Sequence, residues 1–471
     1  MYSTFFGLET ARRGLAAART GMDVSGHNVA NANTTGYTRQ RADQVASDPY
    51  TMPSMGKPVM ALQLGTGVTV EQIERIRDNF LDGQIRVETN KLSNWKAQSD
   101  ALSEVETVFM EPSDNGLNTL LANFWSNWQE LSKNAESTPV RTTVMENAVS
   151  LANGFNHTYS QLETVKGDLN QLMQIDISDI NSKARQIANL NTQIINIKVA
   201  GDQPNDLLDK RDLLLDELAK LTNYSITDLG NGSISIDIGT VNLVDGITQA
   251  VTPLTTPPNW TDVTDGALNG INQALTKLQS YEDDLNTLAA NLIKMVNNAH
   301  TGGIDLNGNT GEIFFGSNAT TPSTNASNIA VNPDIQSNVS LIAAATTGTT
   351  GVGNQNPGDG SNALKIAGLQ NTSIDGTNGV APNGLGGSTF DSYYKNMIAR
   401  LGVESQESSR MVDNQQALVD QLSNRKESIS GVSMDEEMTN LIQYQYAYQG
   451  AARVVTTLDS MLDTLINRMA V

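Results

Sequence analysis

A chain of 471 residues, 38% hydrophobic and 17% charged, can bury sizeable cores and has room for two or three domains. Its 51 acids outweigh 30 bases, for a net charge of -21, which argues against a nucleic acid or an anionic membrane surface as partner, since either needs a basic stripe. The absence of cysteine excludes disulfides, thiolate nucleophiles and cysteine-held zinc or iron–sulfur centres. There is no run of eighteen apolar residues and no cleavable secretory pattern at the start, so composition alone implies a soluble cytosolic chain.

The spacing predicts a helix over residues 5–32, with Leu8, Ala11, Leu15, Ala18, Met22, Ser25, Val29 and Ala32 three and four apart. Its small residues would let a second helix approach closely. The run Asn28, Asn31, Asn33, Gly36, Tyr37 follows, and asparagine and glycine there end the helix in a turn. Residues 41–75 are rich in proline and glycine, with Val68, Val70 and Ile73 alternating as in a short strand. Helices are expected over about 76–110 and 116–133, the second carrying Phe124, Trp125, Trp128 and Leu131 as core. The longest stripe runs over about 140–198, with a polar patch from Asp176 to Lys183 that could bend it. Beyond Gly201, Asn205 or Asp206 should cap a helix whose Asp209, Lys210, Arg211 and Asp212 read as a solvated face.

Residues 222–260 alternate polar and apolar between glycines, predicting short strands and tight turns. A helical stripe returns from Leu268 to Val296 and is expected to pack beside the 140–198 helix. Residues 301–389 suit an exposed, loop-heavy domain with a short helix near Asn362. From Phe390 the bundle resumes as far as a break at Gly431. The last stretch, 433–469, is predicted to be one helix opened by a capping box of Ser433 and Glu436. Met438, Leu441, Val455, Leu458, Leu462 and Leu465 mark its seam.

Nothing here points to catalysis. The three histidines, His27, His157 and His300, fall in different predicted environments, and no G-x-S-x-G or H-E-x-x-H pattern occurs. The stretch from Asp305 to Glu312 is superficially like a calcium loop, but Thr310 stands where glycine is needed and Gly316 where an acid is needed. No catalytic, cofactor-binding or metal-ligating residue is therefore expected. The fold expected is mainly α with an inserted β/loop part. Residues 1–40 and 432–471 would form a terminal coiled coil, and 41–221, 264–300 and 390–431 a helical bundle. Residues 222–263 and 301–389 would together make a β-rich outer domain.

The segments Phe6-Gly7-Leu8-Glu9-Thr10-Ala11 and Asn28 to Tyr37 resemble those of bacterial flagellar axial proteins of the rod, hook and hook-associated family. The resemblance is narrower, to the hook-associated members, at Gly36-Tyr37-Thr38-Arg39-Gln40-Arg41, Ser433-Met434-Asp435-Glu436-Glu437-Met438 and Leu458 to Met469. It implies a structural subunit joining hook to filament, secreted without a cleaved signal through the flagellar type III pathway, which corrects the cytosolic expectation. It implies as partners further copies in a ring, the hook protein, a second hook-associated junction protein and a cytosolic export chaperone on the C-terminal helix. Leu8, Leu15, Met22, Val29 and the C-terminal seam would carry assembly. A hook or distal-rod subunit, a cytosolic coiled-coil scaffold and a wall-remodelling enzyme stay open as alternatives.

Overall fold

Apolar residues three and four apart along most of the chain make helices the dominant element. A computed structural model describes residues 5–51, 63–109, 116–246, 248, 250–255, 258–346, 356–374 and 385–464. Its helices are α1 (Phe5–Asn31), α2 (Asn79–Phe109), α3 (Leu117–Lys133), α4 (Thr138–Val199), α5 (Asn205–Leu221), α6 (Gly266–Thr301), α7 (Pro333–Ser337), α8 (Ser361–Gly368), α9 (Phe390–Ser430) and α10 (Met434–Asp463). The strands are β1 (Gln40–Ala46), β2 (Tyr50–Thr51), β3 (Gln63–Leu64), β4 (Val68–Arg75), β5 (Ser225–Asp228), β6 (Ile234–Ile238), β7 (Val241–Asp245) and β8 (Ala250–Val251). Among the described residues no helix is long and apolar enough to cross a membrane.

The polar patch does not interrupt α4: Ile177, Ile180 and Ala184 keep the buried stripe running through it, and the helix is continuous over 62 residues.

Two compact units divide the chain: Met1–Leu92 with Ile177–Gly266 and Asn414–Val471, and Ser93–Asp176 with Ala267–Asp413. The expected outer domain therefore does not exist as one body: residues 222–263 lie in the first unit and 301–389 in the second. Each piece buries its apolar residues against helices of its own unit. In the first, the antiparallel sheet β5-β6-β7-β8 sits on α4, where Asn191 donates to the Ile234 carbonyl at 2.9 Å. In the second, Phe314 and Phe315 pack against Phe124 and Trp128, and Trp125 against Phe390. The tryptophans are core, as read from the sequence. Lys166 of α4 and Glu282 of α6 form an ion pair at 2.9 Å, so these two helices are neighbours in the second unit.

Two buried polar groups organise the turn that follows α6. Asn297 accepts from the Phe314 and Phe315 N–H groups and donates to the Phe315 carbonyl, a residue that no periodicity marked. His300 is fully buried; its Nδ1 lies 2.6 Å from the Glu312 carbonyl, and its Nε2 accepts from the Ala343 N–H at 2.9 Å. Both bonds require a neutral ring protonated on Nδ1. Burial holds the imidazole down to about 4 from an ordinary 6.5. The unfolded chain takes up this proton as pH falls through 6.5, while the folded chain resists until about pH 4, so stability declines across that window and levels off below it. Denaturant titrations at pH 7.5 and pH 5 should differ by about 2 kcal/mol from this group, and His300→Gln should flatten the difference. Equal pH slopes for the two proteins would refute this assignment.

Candidate assembly interface

The first and last helices of the described chain pair with each other. Three glycines seven residues apart make the contact on α1: Gly7 faces Leu458, Gly14 faces Ala451 and Gly21 faces Tyr444. A methyl group at Gly21 would come within 2.7 Å of the Tyr444 ring, whereas Gly26, on the same helix, has open space around it. Gly21→Ala should therefore destabilise the hairpin by about 1–2 kcal/mol, while Gly26→Ala should be neutral or stabilising. Thermal melts by circular dichroism test this, and adding Tyr444→Ala to Gly21→Ala should recover the loss. No recovery would mean that the close approach is not what Gly21 provides.

The predicted seam residues divide between two faces. Leu8, Leu15, Met22 and Val29 of α1 and Leu441, Val455, Leu458 and Leu462 of α10 are half-buried, while Met438 stands exposed. Leu465 and Met469 lie outside the described residues. Tyr444 and Ala451, in contact with α1, were missed, because a tyrosine and an alanine stand out less than the aliphatic stripe. Exposed Met434, Met438, Ile442, Tyr446, Val454 and Met461 put apolar groups on the solvent side of α10, among exposed polar residues such as Asp435, Gln443, Gln445 and Arg453.

The asparagine-rich corner is built around Asn28. Its amide donates to the Gln40 carbonyl at 2.8 Å and accepts from the Gln40 N–H at 2.9 Å, as a neighbouring strand would, and also accepts from the Tyr37 hydroxyl at 2.7 Å. Asn31 bonds back to the His27 carbonyl, Gly36 takes a φ of 79°, and Asn33 is exposed. The corner thus delivers the chain into β1, which pairs with β4 antiparallel, with a bulge between Asp43 and Gln44. This hairpin packs on α1 of its own chain: Gln44 donates to the Ala17 carbonyl, and Gly67 abuts Thr10. Residues 52–62, within the stretch expected to wrap between subunits, lie outside the described residues.

The predicted capping box does not form. Ser433 is the N-cap but makes no side-chain cap bond, and Glu436 is drawn to Arg39 at 2.6 Å rather than back to the cap. Arg39 also pairs with buried Glu437 at 2.7 Å, and its N–H donates to the Ser430 carbonyl. One residue at the head of β1 thereby clamps the α9–α10 joint. Gly431 sits in that joint because any side chain would strike Glu427.

The acidic run on α5 is likewise not a solvated face. Asp209, Arg211 and Asp212 are buried or nearly so. Asp212 receives Arg75 at 2.8 Å, Arg77 at 3.0 Å and Arg86 at 3.5 Å, while Asp209 pairs with Arg75 and accepts the Thr38 N–H. Arg211 donates instead to the Asn191 side chain and the Gly232 carbonyl. Pro204 takes the N-cap position of α5, freeing Asn205 to donate to the Ile73 carbonyl. Among the described residues no three His, Asp or Glu side chains gather as a metal site.

The glycine-packed helix pair and its asparagine corner fall in segments that flagellar rod families match, which places the chain among flagellar axial proteins. The description "Flagella basal body rod protein" matches residues 8–38, "Flagellar basal body rod FlgEFG protein C-terminal" matches 427–469, and "Flagellar hook-associated protein FlgK helical domain" matches 102–315. Flagellar hook-associated protein 1 of Bacillus subtilis (strain 168) is 34% identical, over 100% of this chain and 99% of its own length. The Escherichia coli (strain K12) protein of that name is 27% identical, over 98% and 99%. The chain belongs to the flagellar hook-associated protein 1 family. In fold it is similar to the flagellar hook junction protein FlgK from Burkholderia pseudomallei, with a TM-score of 0.62 at 17% identity, covering 74% of this chain and 100% of that one.

Proposed function

We propose that this chain is a structural subunit of the bacterial flagellum that joins hook to filament, and that copies of it assemble by burying the outward apolar face of the α1–α10 hairpin against one another. The observation that carries this reading is the row of exposed Met434, Met438, Ile442 and Tyr446 on a helix whose other face is already occupied by α1. A closed ring would cover that row in every copy, leaving one rim for the hook protein and the other for a second hook-associated junction protein. Before assembly the same row needs cover, which suits a cytosolic export chaperone on the C-terminal helix, followed by type III export to the cell exterior. The half-buried Leu8, Leu15, Met22, Val29, Leu441, Val455, Leu458 and Leu462 hold the hairpin that presents it, with Leu465 expected to extend the seam. Asn28, Asn31, Asn33, Gly36 and Tyr37 shape the corner at its base.

In cells lacking the gene, hooks should be bare and flagellin should be shed into the medium, and the wild-type chain should restore filaments. Ile442→Glu, a surface change that should cost less than about 0.5 kcal/mol, should be secreted and folded yet leave the hooks bare. Filament growth with that variant would sink the proposed contact.

A further inference from the structure

We infer that the outward face of α10 is a methionine-oxidation site, so that peroxide acting on the unassembled chain converts Met434, Met438 and Met461 to sulfoxides and disables the face. Nine methionines fall among the described residues. Met145, Met173, Met295 and Met397 are buried and Met22 and Met411 half-buried, while Met434, Met438 and Met461 are 47%, 50% and 57% exposed. All three exposed thioethers among the described residues therefore sit on one helix, Met434 and Met438 on the same side of it, and the chain has no cysteine to intercept the oxidant.

The reaction needs only a peroxide as co-reactant. The thioether sulfur attacks one peroxide oxygen, the O–O bond breaks, a sulfur–oxygen bond forms, and with hydrogen peroxide the other oxygen leaves as water. Sulfur is oxidised by two electrons and the peroxide reduced by two. The product is polar, which disrupts methionine-rich contacts. Met434 and Met438 lie one turn apart with exposed Ile442 beyond them, so a double modification places two polar groups at the start of the apolar row. The consequence for assembly rests on the proposed function; the order of oxidation does not.

Purified chain is treated with hydrogen peroxide and its peptides are followed by mass spectrometry. The three α10 methionines should be modified roughly tenfold faster than the four buried ones, in line with their access to solvent. Equal rates, or faster modification of the buried set, would overturn the site. Oxidised and untreated chains are then added to hook-bearing cells that lack the gene. Untreated chain should restore filaments, oxidised chain should not, and methionine sulfoxide reductase should return the activity. The Met434→Leu/Met438→Leu/Met461→Leu chain is compared only with its own untreated sample: peroxide should take nothing from whatever filament recovery it gives, and a fractional loss equal to that of the wild-type chain would overturn the link. If untreated chain restores nothing, the assembly reading fails while the measured order of oxidation still decides the site.

Discussion

Arg141→Met should unfold the second unit more readily by about 3–5 kcal/mol, although it nearly preserves side-chain volume. Arg141 lies in the second turn of α4 and is almost completely buried. Its Nε donates to the Ala135 carbonyl at 2.7 Å, and its Nη1 to the Ile342 carbonyl at 2.7 Å and the Val339 carbonyl at 3.4 Å. Burial pulls the guanidinium down to about 10, with Asp305 acting in the opposite direction, so it stays charged at neutral pH. It is a cation solvated by backbone, tying the loop before α4 to the turn after α7. Methionine would leave those carbonyls dry and unpaired. Denaturant unfolding followed by tryptophan fluorescence gives the measurement, with exposed Arg410→Met as a control expected within about 0.5 kcal/mol. A loss under about 1 kcal/mol for Arg141→Met would show that water replaces the guanidinium without penalty.

Asp212→Asn should cost the first unit about 3–5 kcal/mol at neutral pH, because it removes the one negative charge that Arg75, Arg77 and Arg86 share. Burial alone pushes the Asp212 carboxyl up, but Arg77, Arg75 and Arg86 outweigh it and hold the group below its ordinary 3.8. The stabilisation is therefore present above pH 3.8 and is lost as pH falls further, through the folded value. The difference between wild type and Asp212→Asn should be constant from pH 7 to about pH 4.5 and shrink only in stronger acid. That acid range lies below the His300 window, so the two effects separate along one pH series. A difference that already disappears at pH 5 would contradict the assignment to Asp212.

The buried charges mark the limit of what the linear pattern conveys. Asp209, Arg211 and Asp212 look like any exposed helix face, yet the two aspartates are buried against arginines more than 120 residues earlier in the chain and Arg211 against Asn191 and the Gly232 carbonyl. Glu436 had the spacing of a capping box, yet a nearby guanidinium outcompetes a backbone N–H for a carboxylate because the ion pair adds charge to the hydrogen bond. The grouping of 222–263 with 301–389 failed for a related reason. Similar glycine-rich composition says that both pieces are turn-rich, not which helices their apolar residues cover.

The sequence by itself determined the helices, the strands around Gly230 and Gly239, the corner at Asn28 to Tyr37 and the family, because these rest on short-range periodicity, turn chemistry and motif spacing. It also carried the pairing of first and last helices, since each bears a long apolar stripe that needs cover. Only the tertiary structure decided which way each stripe turns. Rotating α10 to place Tyr444 over Gly21 puts Met434, Met438 and Ile442 outward, and that rotation is set by side-chain packing between segments more than 400 residues apart.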